Sequence, residues 1–342
     1  MKNSTILRRT LLASAMVGAV AIAMPTSQAQ AQDQSFLLST ASTGGTYYPV
    51  GVAIATLIKT RLQPTEGIDL SAISSAGSGE NVRLLREGEV DFAILQGLFG
   101  AYASNGTGPL EEEGPQENLR SITGLWQNTE HFVMRSSDVE SGTIADMANV
   151  MGEPVSMGAQ GSGTLGSNTV LMGNLGMPLD EYELVYMGYN PSADALQNNQ
   201  IVAMSTPGGV PVGGVTRAFA AMPGDLTLLG FTDEQIAEAN GDFDSLWTAF
   251  EIPAGTYPGQ EEDVTTVGQP NFLAVNDTVP EEVVYMITKT IFENLGFLQA
   301  IHPATNEMSL EVATNGLPAP LHPGALRYYE EAGLDIPDHL RP

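Results

Sequence analysis

Apolar residues along this chain fall into two alternating periods. Ser35 to Ser39 is a short apolar run with strand character, and a Ser/Thr/Gly turn follows it. Val50, Ile54, Leu57, Ile58 and Leu62 then recur at the spacing that buries one face of a helix. Pro49 falls where the first helical turn tolerates it. The stretch Glu80 to Gln96 predicts a helix with Val82 and Leu85 inward, a turn at Gly88, and a buried strand from Asp91 to Leu95 ending at Gln96-Gly97. The same pattern returns at Ser192 to Thr206: a helix, a polar turn at Asn198-Asn199, a strand from Ile201 to Met204, and the loop Pro207-Gly208-Gly209. A second strand-turn-helix unit opens at Pro154 to Gly158, continues through Ala159 to Thr164, and carries Val170, Leu171 and Leu175 before closing at Gly176 with Pro178 beyond. Strands that are apolar throughout and follow helices belong in parallel sheets covered on both faces. Ligands in such sheets bind beyond the carboxyl ends of the strands, where Gln96 and Thr206 fall.

The remaining segments fill in the frame. Glu130 to Arg135 and Val264 to Asn276 read as extended and are candidates for a two-segment hinge between lobes. Glu111 to Glu117 is a solvated acidic loop, and Gly230 to Asp244 is an acidic amphipathic stretch with Ile236 and Ala239 toward a core. Pro280 starts a long helix with Glu281 and Glu282 in its first turn, where the dipole favours them, and a buried stripe of Val284, Ile287, Ile291, Leu295 and Leu298. Met308 to Val312 and His322 to Gly333 predict two more short helices.

The first 31 residues have a different character. Lys2, Arg8 and Arg9 precede an uncharged stretch from Thr10 to Met24, and Ala29-Gln30-Ala31 offers the small-x-small site of signal peptidase. Residues 1–31 are expected to be a signal peptide, with export to the periplasm by the Sec route in preference to the twin-arginine route that Arg8-Arg9 also resembles. No later segment supplies the roughly 20 apolar residues of a membrane span. The chain contains no cysteine, which excludes a disulfide framework, a nucleophilic thiol and a lipid-attachment cysteine. A mature chain of roughly 310 residues suffices for two lobes, each with its own core.

Charge excludes further classes. With 13 Lys+Arg against 40 Asp+Glu the net charge is −27, and without the three bases of the signal region it is close to −30. Such a surface repels nucleic-acid backbones and anionic lipid heads. If the ligand is an anion, its pocket has to be locally positive, through amide dipoles or one buried arginine.

Two positions offer such a pocket. Thr43, Gly44, Gly45 and Thr46 leave backbone N–H groups free where the first helix begins, and a helix start carries about half a positive charge. Gly161 to Gly166 satisfies GxGxxG, yet the acidic residue a dinucleotide site needs about 20 positions on is matched only loosely by Glu181 and Glu183. Its better use is a second nest of N–H groups with the Ser162 and Thr164 hydroxyls facing an anion. Catalytic constellations are scarce: His131, His302, His322 and His339 show no metal-ligand spacing, and there is no GxSxG elbow. Trp126, Tyr47, Tyr48, Phe99 and Tyr189 are aromatic candidates for packing on a ligand, each with an alternative as core. The chain reads as a binder and not an enzyme, with no cofactor and no metal. The alternatives are a periplasmic nicotinamide-dependent oxidoreductase, which rests on GSGTLG alone, and a ligand-sensing partner of a membrane kinase.

Six ordered stretches carry a resemblance: STASTGGTYYPVG, GSGENVRLLREGEVDFAILQG, GAQGSGT, TPGGVP, IPAGTYPGQEEDV and PLHPGALRYYEEAG. Together the chain resembles the TAXI family, solute-binding receptors of one class of TRAP transporters. The resemblance implies a Venus-flytrap fold of type II-like character: two α/β lobes with mostly parallel sheets, lobe 1 formed by 32–130 plus 265–342 and lobe 2 by 131–264. It implies a monomer that captures a dicarboxylate or a glutamate-like amino acid. It also implies delivery to an ion-gradient-driven membrane permease with fused small and large subunits. Carried across by motif, the pocket draws on Thr43, Gly45, Thr46 and Tyr47, on Ser78 and Asn81, and on Gln96 from one lobe. Ser162, Gly163, Thr164, Gly209, Val210 and Pro211 come from the other. Two departures from the family pattern stand out, Val52 in place of a glycine and Leu98-Phe99 after Gln96-Gly97, the latter implying a more apolar pocket.

Overall fold

The computed structural model describes residues 33–342, and the expected signal peptide lies outside the described residues. Eleven strands among them form two sheets. The first is built from β1 (Gln34–Ser39), β2 (Ile68–Ile73), β3 (Phe92–Gln96), β4 (Leu119–Thr129), β10 (Thr248–Ile252) and β11 (Val264–Asn276). The second is built from β5 (Phe132–Arg135), β6 (Pro154–Ser156), β7 (Glu183–Leu184), β8 (Ala203–Ser205) and β9 (Leu226–Leu229). The strand orders are β10-β11-β3-β1-β2, with β4 also on β11, and β7-β6-β8-β5-β9.

The expectation of mostly parallel sheets needs correction, because both sheets are mixed. β1 lies parallel to β2 and β3, and β6 parallel to β7 and β8; these are the strand-helix-strand units announced by the periodicity. β11 runs antiparallel to β3, β4 and β10, and β5 antiparallel to β8 and β9. The antiparallel members are the strands through which the chain passes from one sheet to the other and returns. β4 is not evident from periodicity, since its burial follows no clean alternation. Val264 to Asn276 is a single strand, but its long partner is β4, with Gly268 opposite Thr129. The stretch from Glu130 to Arg135 is split. The N–H of Glu130 donates to Val267 of the first sheet at 2.8 Å, whereas the carbonyl of His131 accepts from Thr206 beside the second sheet at 3.0 Å.

Among the described residues ten helices cover the sheets: α1 (Tyr47–Glu66), α2 (Ser78–Glu87), α3 (Gly97–Asn105), α4 (Gly163–Asn174), α5 (Tyr189–Gln197), α6 (Gly213–Ala221), α7 (Asp233–Asn240), α8 (Glu281–Glu293), α9 (Leu295–Gln299) and α10 (Pro323–Glu331). The long helix expected after Pro280 breaks at Asn294 into α8 and α9, and the one expected near Met308 is only a 3-10 turn over Leu310–Val312. In the first sheet Leu38, Phe92, Leu95 and Phe272 join Ile54 of α1 and Val284 of α8 in one core. In the second, Phe132 and Met134 enter a core with Leu171 and Trp247, while Val133 between them enters another with Leu196 and Val215. That alternation is the period of two of a strand covered on both faces.

Candidate functional site

Loops that leave the carboxyl ends of β1, β2 and β3 meet loops that leave β6 and β8, and a cavity with about 370 Å³ of empty space lies between them. Ser42, Thr46, Tyr47, Ser78, Gln96 and Asn128 line it from the side of the first sheet, and Gly163, Thr164, Tyr189 and Pro207 from the side of the second. None of the lining residues carries a charge.

Electropositive character comes from the backbone instead. Thr46 and Tyr47 stand at the start of α1, Gly77 and Ser78 at the start of α2, Gln96 immediately before α3, Gly163 and Thr164 at the start of α4, and Tyr189 at the start of α5. Five helix N-termini therefore border one cavity. In three of them, α1, α2 and α5, no side chain caps the first turn; in α3 the Gln269 side chain accepts from the Leu98 N–H at 3.0 Å, and in α4 the Ser162 hydroxyl accepts from the Leu165 N–H at 3.0 Å. Uncapped first-turn N–H groups are donors available to an anion.

The two sides also bond directly to each other. The Thr46 hydroxyl donates to the Gly209 carbonyl at 2.8 Å, and Gln96 Nε2 donates to the Gly163 carbonyl at 3.0 Å. The N–H of Glu80 reaches the Gly161 carbonyl at 2.8 Å and that of Gly214 the Gly44 carbonyl at 2.9 Å. The arrangement is a closed cleft. Within the second side the Tyr189 hydroxyl donates to the Pro207 carbonyl at 2.7 Å and accepts from Thr164 Oγ1 at 2.8 Å. A β-carbon on Gly163 would stand 2.7 Å from Gln96 Oε1 and 2.9 Å from Ser78 Cβ, so glycine is required for this approach.

The sequence-derived candidates divide into three groups. Gly45, Thr46, Tyr47, Ser78, Gln96, Gly163 and Thr164 line the cavity. Ser162, Asn81 and Gly209 support it from behind. Ser162 caps α4, and buried Asn81 holds the carbonyls of Thr40 and Ile94 at 2.7 and 2.9 Å. Gly209 accepts the Thr46 closure bond and packs on Trp126. Thr43, which is exposed, and Val210 and Pro211 are not among the lining residues. Asn128 and Ser42 were missed. Asn128 comes from β4, the strand without a periodic signature, and donates to Gln96 Oε1 at 3.4 Å. Tyr189 was anticipated only as an aromatic in general. Among the described residues no arginine lines the cavity; Arg83 is exposed and pairs with Glu87 on its own helix. Leu98 and Phe99 do not line the cavity either: Leu98 is buried in the core of the second sheet and Phe99 stacks edge-on with Tyr102.

Behind the cavity, where the chain crosses between sheets, lies a buried acid. Glu130 shares the strand face of Asn128 two residues earlier, and neither carboxyl oxygen has a hydrogen-bond partner. Burial pushes its pKa up to about 8; the Trp247 indole, close by but outside hydrogen-bonding geometry, offsets only part of the rise. His131, next along the chain, is pushed down to about 4 by burial and is neutral. Its Nδ1 donates to the Thr129 carbonyl at 2.8 Å and its Nε2 accepts from the Tyr257 hydroxyl at 2.7 Å. No helix among the described residues is long and apolar enough to cross a membrane.

A model of the NMT1-like family matches residues 38–333, and the chain belongs to that family. Among solved structures, MatC from Rhodopseudomonas palustris with bound malate is 14% identical, with 86% of this chain and 98% of that one covered and a TM-score of 0.54. The alkanesulfonate-binding protein SsuA from Xanthomonas axonopodis pv. citri, bound to MOPS, is 12% identical over 87% of this chain and 90% of that one, with a TM-score of 0.45. The GluR0 ligand-binding core from Nostoc punctiforme, in complex with L-glutamate, is 13% identical over 80% and 100%, with a TM-score of 0.43. At 14% identity the likeness to MatC is one of fold alone.

Proposed function

We propose that this member of the NMT1-like family is the periplasmic solute receptor of a TRAP transporter of the TAXI class. In this reading it is a non-enzymatic monomer, exported by the Sec route and not lipid-anchored. It captures a small dicarboxylate or glutamate-like amino acid and hands it to an ion-gradient-driven permease with fused subunits. Residues 32–130 with 265–342 form one lobe and residues 131–264 the other. The observation that carries the reading is the convergence of five helix starts, three of them without a side-chain cap, on a cavity lined by no charged side chain. An anion is the guest such a cavity favours, because each helix start contributes partial positive charge and N–H donors at no cost in desolvating a cation. The malate in MatC belongs to the same chemical class and is the natural first compound to try.

Binding drives closure only if the solute touches both lobes, since a ligand with equal affinity for open and closed states shifts nothing. Here a solute between α1 and α4 adds its contacts to the Thr46–Gly209 and Gln96–Gly163 bonds. The test is a thermal-shift panel of C4 and C5 dicarboxylates, their keto and hydroxy forms, and acidic and neutral amino acids. A ligand present at 100 times its Kd adds about 2.7 kcal/mol, a shift of several degrees at about 2–4 °C per kcal/mol. Thr46→Ala and Thr164→Ala are each expected to weaken binding by about 1–3 kcal/mol, the first through the lost closure bond and the second through the lost anchor of Tyr189. Unaltered affinity in both variants would refute this placement of the solute.

A further inference from the structure

A second chamber lies behind the cavity, on the side of β4 and β11, with about 560 Å³ of empty space that opens in part to solvent. Trp126, Asn271, Gln127 and Glu307 are among the residues that line it. Three side chains stand between the two spaces, Tyr47 on the cavity side and Trp126 and Asn271 on the chamber side. Tyr47 lines the cavity in front; its hydroxyl donates to Asn271 Oδ1, and its ring meets Trp126 edge-on with centroids 6.1 Å apart. Asn271 and Trp126 are 1% and 2% exposed, yet Asn271 Nδ2 and Trp126 Nε1 have no hydrogen-bond partner. Both are donors only, and buried donors left unpaired call for an acceptor. Two residues with acceptors line the same chamber: the Glu307 carboxylate, which takes the Gln127 N–H at 2.8 Å, and Gln127, whose Oε1 has no partner.

We propose that Tyr47 sets the chain length of the solute: with the ring in place the cleft takes four- and five-carbon dianions, and without it the cleft extends to Trp126 and Asn271 at the edge of the rear chamber and takes longer dicarboxylates. The distal carboxylate then finds the free donors of Asn271 and Trp126. This inference rests on the anionic-solute reading given above.

The experiment is calorimetric titration of the full mature chain with succinate, glutarate, adipate and suberate. The wild type is expected to bind succinate or glutarate at least tenfold tighter than suberate. Tyr47→Ala is expected to invert that ranking. Val312, 41% exposed, lines the chamber but not the cleft, and Val312→Trp added to Tyr47→Ala refills the chamber and removes the gain for suberate. If the alanine variant fails to fold, Tyr47→Leu, which packs on Trp126 but stops short of Asn271, is read in the same way. A folded Tyr47 variant with the wild-type ranking, or a wild type that binds suberate as tightly as succinate, overturns the partition while leaving the anion reading intact. A wild type that binds none of these compounds nor any other small anion overturns both.

Discussion

Helices that begin at the cleft differ from three that begin elsewhere, α7, α8 and α10. α7, away from the cleft, starts with a full capping box, in which Thr232 accepts from the Gln235 N–H and the Gln235 side chain accepts from the Thr232 N–H; Asp233 and Glu234 fill its first turn. α10 is capped by His322, and α8 opens with Glu281 and Glu282, both paired with Arg327. At the cleft, α1, α3, α4 and α5 carry no acid in the first turn, and only α3, through Gln269, and α4, through Ser162, have a side-chain cap. α2 alone has an acid there, Glu80, whose carboxylate is turned to the Ala76 N–H. A missing cap costs a helix about 0.5–2 kcal/mol. α7, α8 and α10 complete their own electrostatics, whereas α6 and α9 have neither a side-chain cap nor a first-turn acid; the inward starts of α1, α2 and α5 leave donors open for a guest, the exchange of stability for function expected at a binding site.

The largest expected effect comes from the acid behind the cleft. The unfolded chain ionises Glu130 near its ordinary value of 4.5, whereas the folded chain holds it neutral to about pH 8. Stability relative to Glu130→Gln therefore falls as pH rises from about 5 to 8, by up to ~4 kcal/mol at 1.36 kcal/mol per unit, and levels off above that. Melting curves of both proteins across this range measure it. A pH-independent difference would show that Glu130 is charged and satisfied in the folded state. Above pH 8 the ionised carboxylate also acts on the cleft wall at Tyr189, so anion affinity is expected to fall in the wild type and stay level in Glu130→Gln.

Next in size is a direct transplant of the outward pattern to the inward one. Thr46→Asp places a carboxylate at the start of α1 and deletes the bond to Gly209. Anion affinity is expected to drop at least 100-fold, about 3 kcal/mol, because like charges then share the cleft. A variant that binds as well as the wild type would mean that the solute does not approach α1. The smallest effect is the reverse control: Thr232→Ala should lower stability by about 1 kcal/mol and leave solute affinity unchanged.

Much of the architecture was legible in local pattern. The strand-turn-helix units at Ser35 to Leu62 and Pro154 to Leu175 and the buried strand before Gln96 lie where periodicity and turn residues put them, because each is specified by neighbours a few positions apart. β4 was not legible. Its Ile122, Trp126 and Asn128 serve a core, a partition and a cavity in turn, so no single period survives. Asn128 was lost with it, and Tyr189 had no signal to separate it from an ordinary aromatic. Asn81 shows the opposite error: a polar residue in a characteristic motif that is buried to hold two backbone carbonyls.

By itself the sequence determined the two repeated α/β units, the two glycine-rich turns that precede helices, and an acidic composition lacking cysteine. These follow from composition and from contacts short in sequence. Only the tertiary structure decided that five helix starts face one another, that Thr46 meets Gly209 across 163 positions, and that Tyr47 stands between two spaces with Asn271 as its partner. Such pairings depend on where the crossing strands β4 and β11 set the two sheets, and no local propensity encodes the distance between residues so far apart along the chain.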